Sequence, residues 1–181
     1  EWVEPITTQY RGYDVYELPP NGQGLTVLQM LNILENFPVA EYGPESADYW
    51  HCFIEAKKLA FEDRARFYGD PDFGGVPIAA LNDKAYAAER AALITDRALC
   101  RPAHGDPILS RGDTTYLSVA DDAGLMVSLI QSIYVKFGSG LVPDGMGFAF
   151  QSRGSAFSLD AEHPNAYAPG KRPFHTIIPA F

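Results

Sequence analysis

The chain has little that would staple, anchor or metallate it. Two cysteines in 181 residues, Cys52 and Cys100, are too few for a disulfide framework. Cys52 falls in a helical pattern, where a thiol serves as a small buried residue. Basic residues are scarce: 14 Lys and Arg stand against 23 Asp and Glu, a formal net charge of −9. A surface of that sign argues against a nucleic-acid backbone or an anionic membrane as partner. No apolar run approaches the length of a membrane span. The four histidines, His51, His104, His163 and His175, show no metal-ligand spacing, so no metal is expected. No cofactor is expected either. The one Gly-x-Gly that opens a helix, Gly22-Gln23-Gly24, lacks a third glycine three residues on and a Lys-Ser/Thr pair, which argues against a nucleotide cradle. No secretion signal opens the chain, and no compartment follows from it. Both ends read as cuts through a longer protein: Glu1-Trp2-Val3-Glu4-Pro5 is an abrupt start, and Ile177-Ile178-Pro179-Ala180-Phe181 stops within an apolar run.

What is present suits a globular domain. Hydrophobic residues make up 46% and charged residues 20%, enough to build a core. Residues 10–18 alternate from Tyr13 on, as a half-buried strand does, and Pro19-Pro20 ends them. Leu25 to Phe37 reads as a helix, with Leu28, Leu31 and Leu34 at helical spacing and Pro38 as its stop. Residues 45–68 form the longest helical pattern. Tyr49, Phe53, Ala56, Ala60 and Phe67 line one face, Trp50, Ile54 and Phe61 widen it, and Glu55, Lys57, Lys58, Glu62, Asp63, Arg64 and Arg66 are expected on the wet side. Residues 69–81 read as loop, and Asn82-Asp83 caps a helix to about Leu93. From Arg101 to Thr114 the composition is that of a polar linker. Strands follow at Thr115 to Ala120, at Leu125 to Val135 (branched enough to be covered on both faces) and at Gly147 to Gln151, with a proline-rich crossing from Asp160 to Pro179. Helices, a linker, then strands suit an α+β domain.

The stretch Gly112-Asp113-Thr114-Thr115-Tyr116-Leu117-Ser118-Val119 organises the whole. A turn entering a strand is its plain reading. Its chemical reading is a backbone bond poised for cleavage. A cut between Asp113 and Thr114 leaves a threonine that carries both a nucleophile, its hydroxyl, and a base, its own α-amine.

Glu17-Leu18-Pro19-Pro20-Asn21-Gly22-Gln23-Gly24, Asp113-Thr114-Thr115-Tyr116-Leu117-Ser118-Val119, Phe137-Gly138-Ser139-Gly140, Phe157-Ser158 and Lys171-Arg172-Pro173 occur in an order that resembles the γ-glutamyltranspeptidase family of N-terminal-nucleophile hydrolases. The resemblance implies a four-layer αββα sandwich, of which this chain is a central segment. It implies a processing site at Asp113 and Thr114, with residues 1–113 belonging to a large, helix-rich subunit and 114–181 to a small, catalytic one. It also implies catalysis by Thr114 through an acyl-enzyme, with water or an amine as acceptor. The family's oxyanion-hole glycine pair is expected beyond Phe181 and its substrate-binding arginine before Glu1. The segment by itself could equally be an unprocessed, inactive piece of such an enzyme.

Departures from the family pattern bear on substrate. The second hydroxyl, which positions the nucleophile, falls on Ser132 instead of threonine. Tyr134 stands where a polar residue is common. The aspartate that grips a substrate α-ammonium is replaced by Ala156, and its glutamine neighbour by Arg153. The serine pair after Lys171-Arg172-Pro173 becomes His175-Thr176. An ammonium entering a dry pocket needs a carboxylate partner, whereas Arg153, pointing inward, would attract an acid. Tyr134, Arg153, His175 and Thr176 are therefore the candidate substrate-binding residues. The pattern resembles the cephalosporin-acylase-like subgroup, with glutaryl-type amides expected as substrates and γ-glutamyl amides such as glutathione as the alternative. Plainer readings stand beside these: Arg153 as an exposed loop residue, His175 as an ordinary loop histidine, Tyr134 as core packing.

Overall fold

The computed structural model describes residues 2–99 and 112–180, apart from the side chains of Gly112 and Asp113. Cys100 and the linker 101–111 lie outside the described residues. The chain opens with an antiparallel hairpin, β1 (Ile6–Tyr10) and β2 (Tyr13–Glu17), in which Tyr10 pairs with Tyr13. The single strand expected over 10–18 is thus corrected at its start. Arg11 (φ 51°) and Gly12 (φ 89°) form a two-residue turn with both central residues left-handed, the geometry that matches the twist of paired strands. Arginine in place of the usual Asn or Asp hid that turn in the sequence.

Helices follow: α1 (Gly24–Leu34), the single turn α2 (Val39–Tyr42), α3 (Ala47–Phe67), the single turn α4 (Ile78–Leu81) and α5 (Lys84–Ala91). The α1 helix stops short of the expected Phe37 because the Asn36 side chain donates to the carbonyls of Asn32 and Ile33, closing the C-terminus early. Ser46 caps α3 by accepting from the Tyr49 N–H, and Asp83 caps α5 as its sequence suggests. Ile33, Leu34, Val39, Cys52, Ala56, Leu59, Ala87 and Ala91 form the main core, in which the Cys52 thiol is free and buried. Leu25, Tyr68 and Leu81 form a second core beneath the α1 N-terminus. Fully burying each leucine stabilises by about 1.5–3 kcal/mol.

The buried face of α3 is rotated from the expected one. Cys52, Glu55, Ala56, Leu59, Ala60, Asp63 and Arg64 are inside, while Trp50 and Ile54 are about half exposed. Glu55, Asp63 and Arg64, placed on the wet side by charge alone, are buried because partners await them. Asp63 accepts from Gln29 (2.9 Å) and Tyr86 (3.0 Å) and pairs with Arg90 at 3.2 Å. Glu55 takes the Lys58 ammonium at 2.6 Å and the Leu99 N–H at 2.9 Å. Arg64 donates to Gln23 at 2.8 Å and lies over the Phe61 ring. Buried charges are tolerated when paired and hydrogen-bonded in this way.

After residue 111 a second hairpin begins, β3 (Gly112–Ala120) paired antiparallel with β4 (Met126–Val135). The cover expected on both faces of β4 is absent among the described residues, and only Tyr134 of that strand is buried. The strand expected over 147–151 is also absent. That stretch makes isolated contacts, chiefly the Phe150 carbonyl accepting from Ser139. Gly138 (φ +57°) is required there, since a Cβ would fall 2.2 Å from the Phe150 oxygen. A 3-10 turn spans Arg153–Ala156, and the described residues after it are irregular apart from an isolated bridge between Ser158 and Ala166.

This last stretch is tied down at several places, His163 on the Ala65 carbonyl among them (2.9 Å), and two of the ties are built of several hydrogen bonds each. Arg172 grips the buried Asp70 carboxylate with its backbone N–H (2.8 Å), Nε (3.0 Å) and Nη2 (2.6 Å). These bonds hold the Asp70 pKa down at about 2, from an ordinary 3.8. A depressed carboxylate stabilises the fold above its unfolded pKa, and the benefit is lost as pH falls through the folded value. Asp70→Asn is therefore expected to cost about 2–3 kcal/mol at neutral pH and progressively less below pH 4. Thermal melts of both proteins across that range check it.

Candidate active site

The second tie delivers residues 173–176 to a defined place. Asn21 Nδ2 donates to the Pro173 carbonyl (2.6 Å), the His175 N–H to the Asn21 carbonyl (2.8 Å), and Gln23 Nε2 to the Thr176 carbonyl (2.8 Å). The Gly22-Gln23-Gly24 loop thus works as a strap at the start of α1. Asn21 and Gln23 were not singled out from sequence. Their signal was the Pro-Pro-Asn-Gly-Gln-Gly wording itself, which resembled a family motif but gave no hint of a partner about 150 residues away.

Six of the seven sequence-derived site residues converge beyond this strap: Thr114, Ser132, Tyr134, Arg153, His175 and Thr176. The seventh, Asp113, contributes its backbone to β3 beside them. Thr114 and Ser132 are register partners across β3 and β4, and the Thr114 hydroxyl donates to Ser132 Oγ at 3.1 Å. The register slips between Gly112 and Thr114: Gly112 pairs with Val135, but Thr114 pairs with Ser132. One extra residue therefore sits on β4, a β-bulge opposite the Asp113–Thr114 bond. Tyr134 absorbs the bulge with φ 77°, a left-handed conformation that a bulky residue adopts only under constraint. The kink turns the Tyr134 N–H onto Ser132 Oγ at 3.0 Å.

Arg153 closes the group. It is 2% exposed, so the reading of an exposed loop arginine is excluded. Its Nη2 donates to Ser132 Oγ (2.9 Å), its Nη1 to Thr176 Oγ1 (2.9 Å), and its guanidinium carbon stands 4.8 Å from the Tyr134 ring centre. Its Nε meets no acceptor among the described residues. Burial pushes its pKa down, with Tyr134 opposing. No described carboxylate compensates this cation, and the position that could have carried one, Ala156, lies in the same 3-10 turn.

His175 stands close enough to feel Arg153. Burial first, and that cation second, push its pKa down to about 4 from 6.5, so the imidazole is neutral at physiological pH. Its Nδ1 accepts from the Ile177 N–H at 3.3 Å, which leaves the proton on Nε2. The folded state resists protonation that the unfolded state accepts, so this histidine lowers stability as pH falls from 6.5 through 4. Its NMR imidazole shifts are expected to stay flat between about pH 8 and pH 5.5; a midpoint near 6.5 would show a solvated ring. Among the described residues no group of three or more His, Cys, Asp or Glu side chains is placed to hold a metal ion.

The chain is similar to known proteins along its whole length. A family model described as gamma-glutamyltranspeptidase matches residues 1–181. A glutathione hydrolase-like proenzyme of Bacillus subtilis (strain 168) is 45% identical over 180 residues, covering 99% of this chain and 34% of that protein. An oxamate amidohydrolase proenzyme of Klebsiella pneumoniae is 40% identical over 176 residues, covering 97% and 32%. Among solved structures, a cephalosporin acylase from Bacillus halodurans superposes with a TM-score of 0.88 at 49% identity, covering 100% of this chain and 32% of that one. The chain thus spans about a third of the length of the relatives it matches. The fold is a partial segment of the N-terminal-nucleophile hydrolase fold, as the sequence motifs implied.

Proposed function

The chain belongs to the γ-glutamyltranspeptidase family, and from that premise we propose that the whole protein is a self-cleaving amidohydrolase or acyltransferase whose nucleophile is Thr114. The observation that carries this is the Thr114 hydroxyl held on Ser132 directly after the Asp113–Thr114 bond. In the precursor, Thr114 Oγ adds to the Asp113 carbonyl carbon. A C–O bond forms, the C–N bond breaks, and the hydroxyl proton ends on the Thr114 nitrogen. Water then opens the ester, leaving a carboxylate on Asp113 and a free hydroxyl and amine on Thr114. Residues up to 113 and from 114 onward become two subunits. Thr114 next attacks an amide, its α-amine taking the hydroxyl proton and passing it to the leaving amine. Water or a second amine accepts the acyl group. Nucleophile and base are both groups of Thr114 itself.

For substrate, we infer an acyl group bearing a carboxylate and no α-ammonium, such as glutaryl. Arg153 is a desolvated cation whose acceptors among the described residues are two neutral hydroxyls. A carboxylate arriving beside Thr114 would compensate it, and an ammonium would be repelled. Oxamate, in the name of one relative, is an amide of this acid-bearing type. The name of another relative favours γ-glutamyl amides as a second reading. Comparison of kcat/KM on glutaryl- and γ-glutamyl-p-nitroanilide with the whole protein tests the choice. A preference of at least tenfold for glutaryl is expected; equal use of both would overturn it.

A further inference from the structure

Arg153 and Thr176 meet where Nη1 donates to Oγ1 at 2.9 Å. Arg153 rides on a single 3-10 turn and Thr176 on irregular backbone, so neither a sheet ladder nor a long helix sets their separation. Two side-chain amides reach them instead. Asn165, 4% exposed, donates from Nδ2 to the Ala156 carbonyl at the end of the turn (2.6 Å) and accepts at Oδ1 from the Phe174 N–H (3.0 Å). One planar group thus joins the Arg153 turn to the segment that bears Thr176. Gln23 holds that segment from the other side. Its Nε2 donates to the Thr176 carbonyl (2.8 Å) and its Oε1 accepts from Arg64 Nη1 (2.8 Å). The partners fix which way each amide faces, since a carbonyl only accepts and an N–H or a guanidinium only donates.

Both amides are grounded on the last turn of α3. Gln23 rests on Arg64. Asn165 rests on the next residue: its N–H donates to His163 Nδ1 (2.9 Å), and His163 Nε2 donates to the Ala65 carbonyl (2.9 Å). Neighbouring parts have ties of their own. Ahead of the turn, the Ser152 N–H donates to the Ile133 carbonyl of β4 (3.1 Å), while Pro173 and His175 are bonded to Asn21. Loss of either amide therefore shifts one side of the Arg153–Thr176 contact and leaves the β3–β4 hairpin in place.

We propose that Asn165 and Gln23 are positioning residues that set the Arg153 guanidinium against the Thr176 hydroxyl, and through that contact set the preference for an acyl group bearing an acid. This rests on the reading of Arg153 as the partner of a substrate carboxylate. A guanidinium recognises a carboxylate by direction as well as by charge, and small displacements of a positioned group carry large kinetic costs. For a γ-glutamyl group the shift acts twice: it weakens attraction of the carboxylate and also repulsion of the ammonium, and the two effects offset.

The experiment measures kcat/KM on glutaryl- and γ-glutamyl-p-nitroanilide with the whole protein, per cleaved active site, in wild type, Asn165→Ala and Gln23→Met. Both substitutions are neutral, so neither adds a charge beside Arg153. Each is expected to lower kcat/KM for the glutaryl substrate about tenfold, through KM, the worth of one hydrogen bond to a charged group. The γ-glutamyl value should stay within about twofold, which shrinks the preference about fivefold or more. Self-cleavage, followed by intact mass, should stay within about threefold of wild type. A merely structural role would lower both substrates alike, together with the melting temperature. A preference within twofold of wild type in either folded variant therefore overturns the proposal and leaves the substrate reading standing. Where Asn165→Ala does not fold, Gln23→Met carries the test, since its site is less buried. Equal use of the two substrates by wild type overturns the substrate reading and this proposal with it.

Discussion

Thr114→Ala in the whole protein is expected to leave one uncut chain, with amide hydrolysis below about a ten-thousandth of the wild-type rate, while Thr114→Ser keeps both activities. On the proposed mechanism the alanine removes the atom that adds to the Asp113 carbonyl, and with it the later acyl carrier. The hydrogen bond to Ser132 is on the solvent-exposed side of β3, so its loss should cost little stability. A matching melting temperature would show that the loss is chemical. Denaturing mass spectrometry separates one chain from two, and the second fragment should begin at Thr114. Cleavage of the alanine variant between the same two residues would displace Thr114 from the role. Serine offers the same hydroxyl without the methyl that limits rotation about χ1, so its precursor should cleave, though more slowly.

The fold was partly legible because local signals here are strong. Asp83 marks the start of α5 by capping it, and the β3 and β4 strands follow from alternation and branched residues. The misread charges on α3 share one cause, which is partners distant in sequence. Asp63 and Glu55 look solvated until Gln29, Tyr86, Arg90 and the Leu99 N–H are found around them. The candidate site was legible as a set of positions, because Thr114 matched the family pattern and Ser132, Arg153 and Thr176 stood at family positions while departing from it. Its geometry was not. No periodicity reveals that a bulge at Tyr134 turns a backbone N–H onto Ser132, or that the strap from Asn21 and Gln23 delivers Thr176 to Arg153. The burial of Arg153 was the decisive unknown, since an exposed arginine at the same position would not carry the substrate argument built on it.

Arg153→Gln combined with Ala156→Asp is expected to reverse the acyl preference of the cleaved enzyme, from glutaryl toward γ-glutamyl, by about three orders of magnitude in the ratio of kcat/KM values. Two charges change sign of effect together. Removing the guanidinium takes away the partner of an incoming carboxylate and the repulsion of an incoming ammonium. The new aspartate supplies that ammonium with an ion pair in a site where burial makes an unpaired charge costly. Each change alone should do less. Ala156→Asp beside an intact Arg153 would form an internal ion pair and weaken both substrates, whereas Arg153→Gln alone would lose glutaryl recognition without gaining an ammonium partner. The coupling between the two substitutions is thus the informative quantity. Rates per active site, normalised to the fraction of chains that have cleaved, keep the effect on self-cleavage out of the comparison. If the double variant keeps the glutaryl preference, then specificity is set by residues outside this segment. Arg153 would in that case only hold the Ser132 and Thr176 hydroxyls in place.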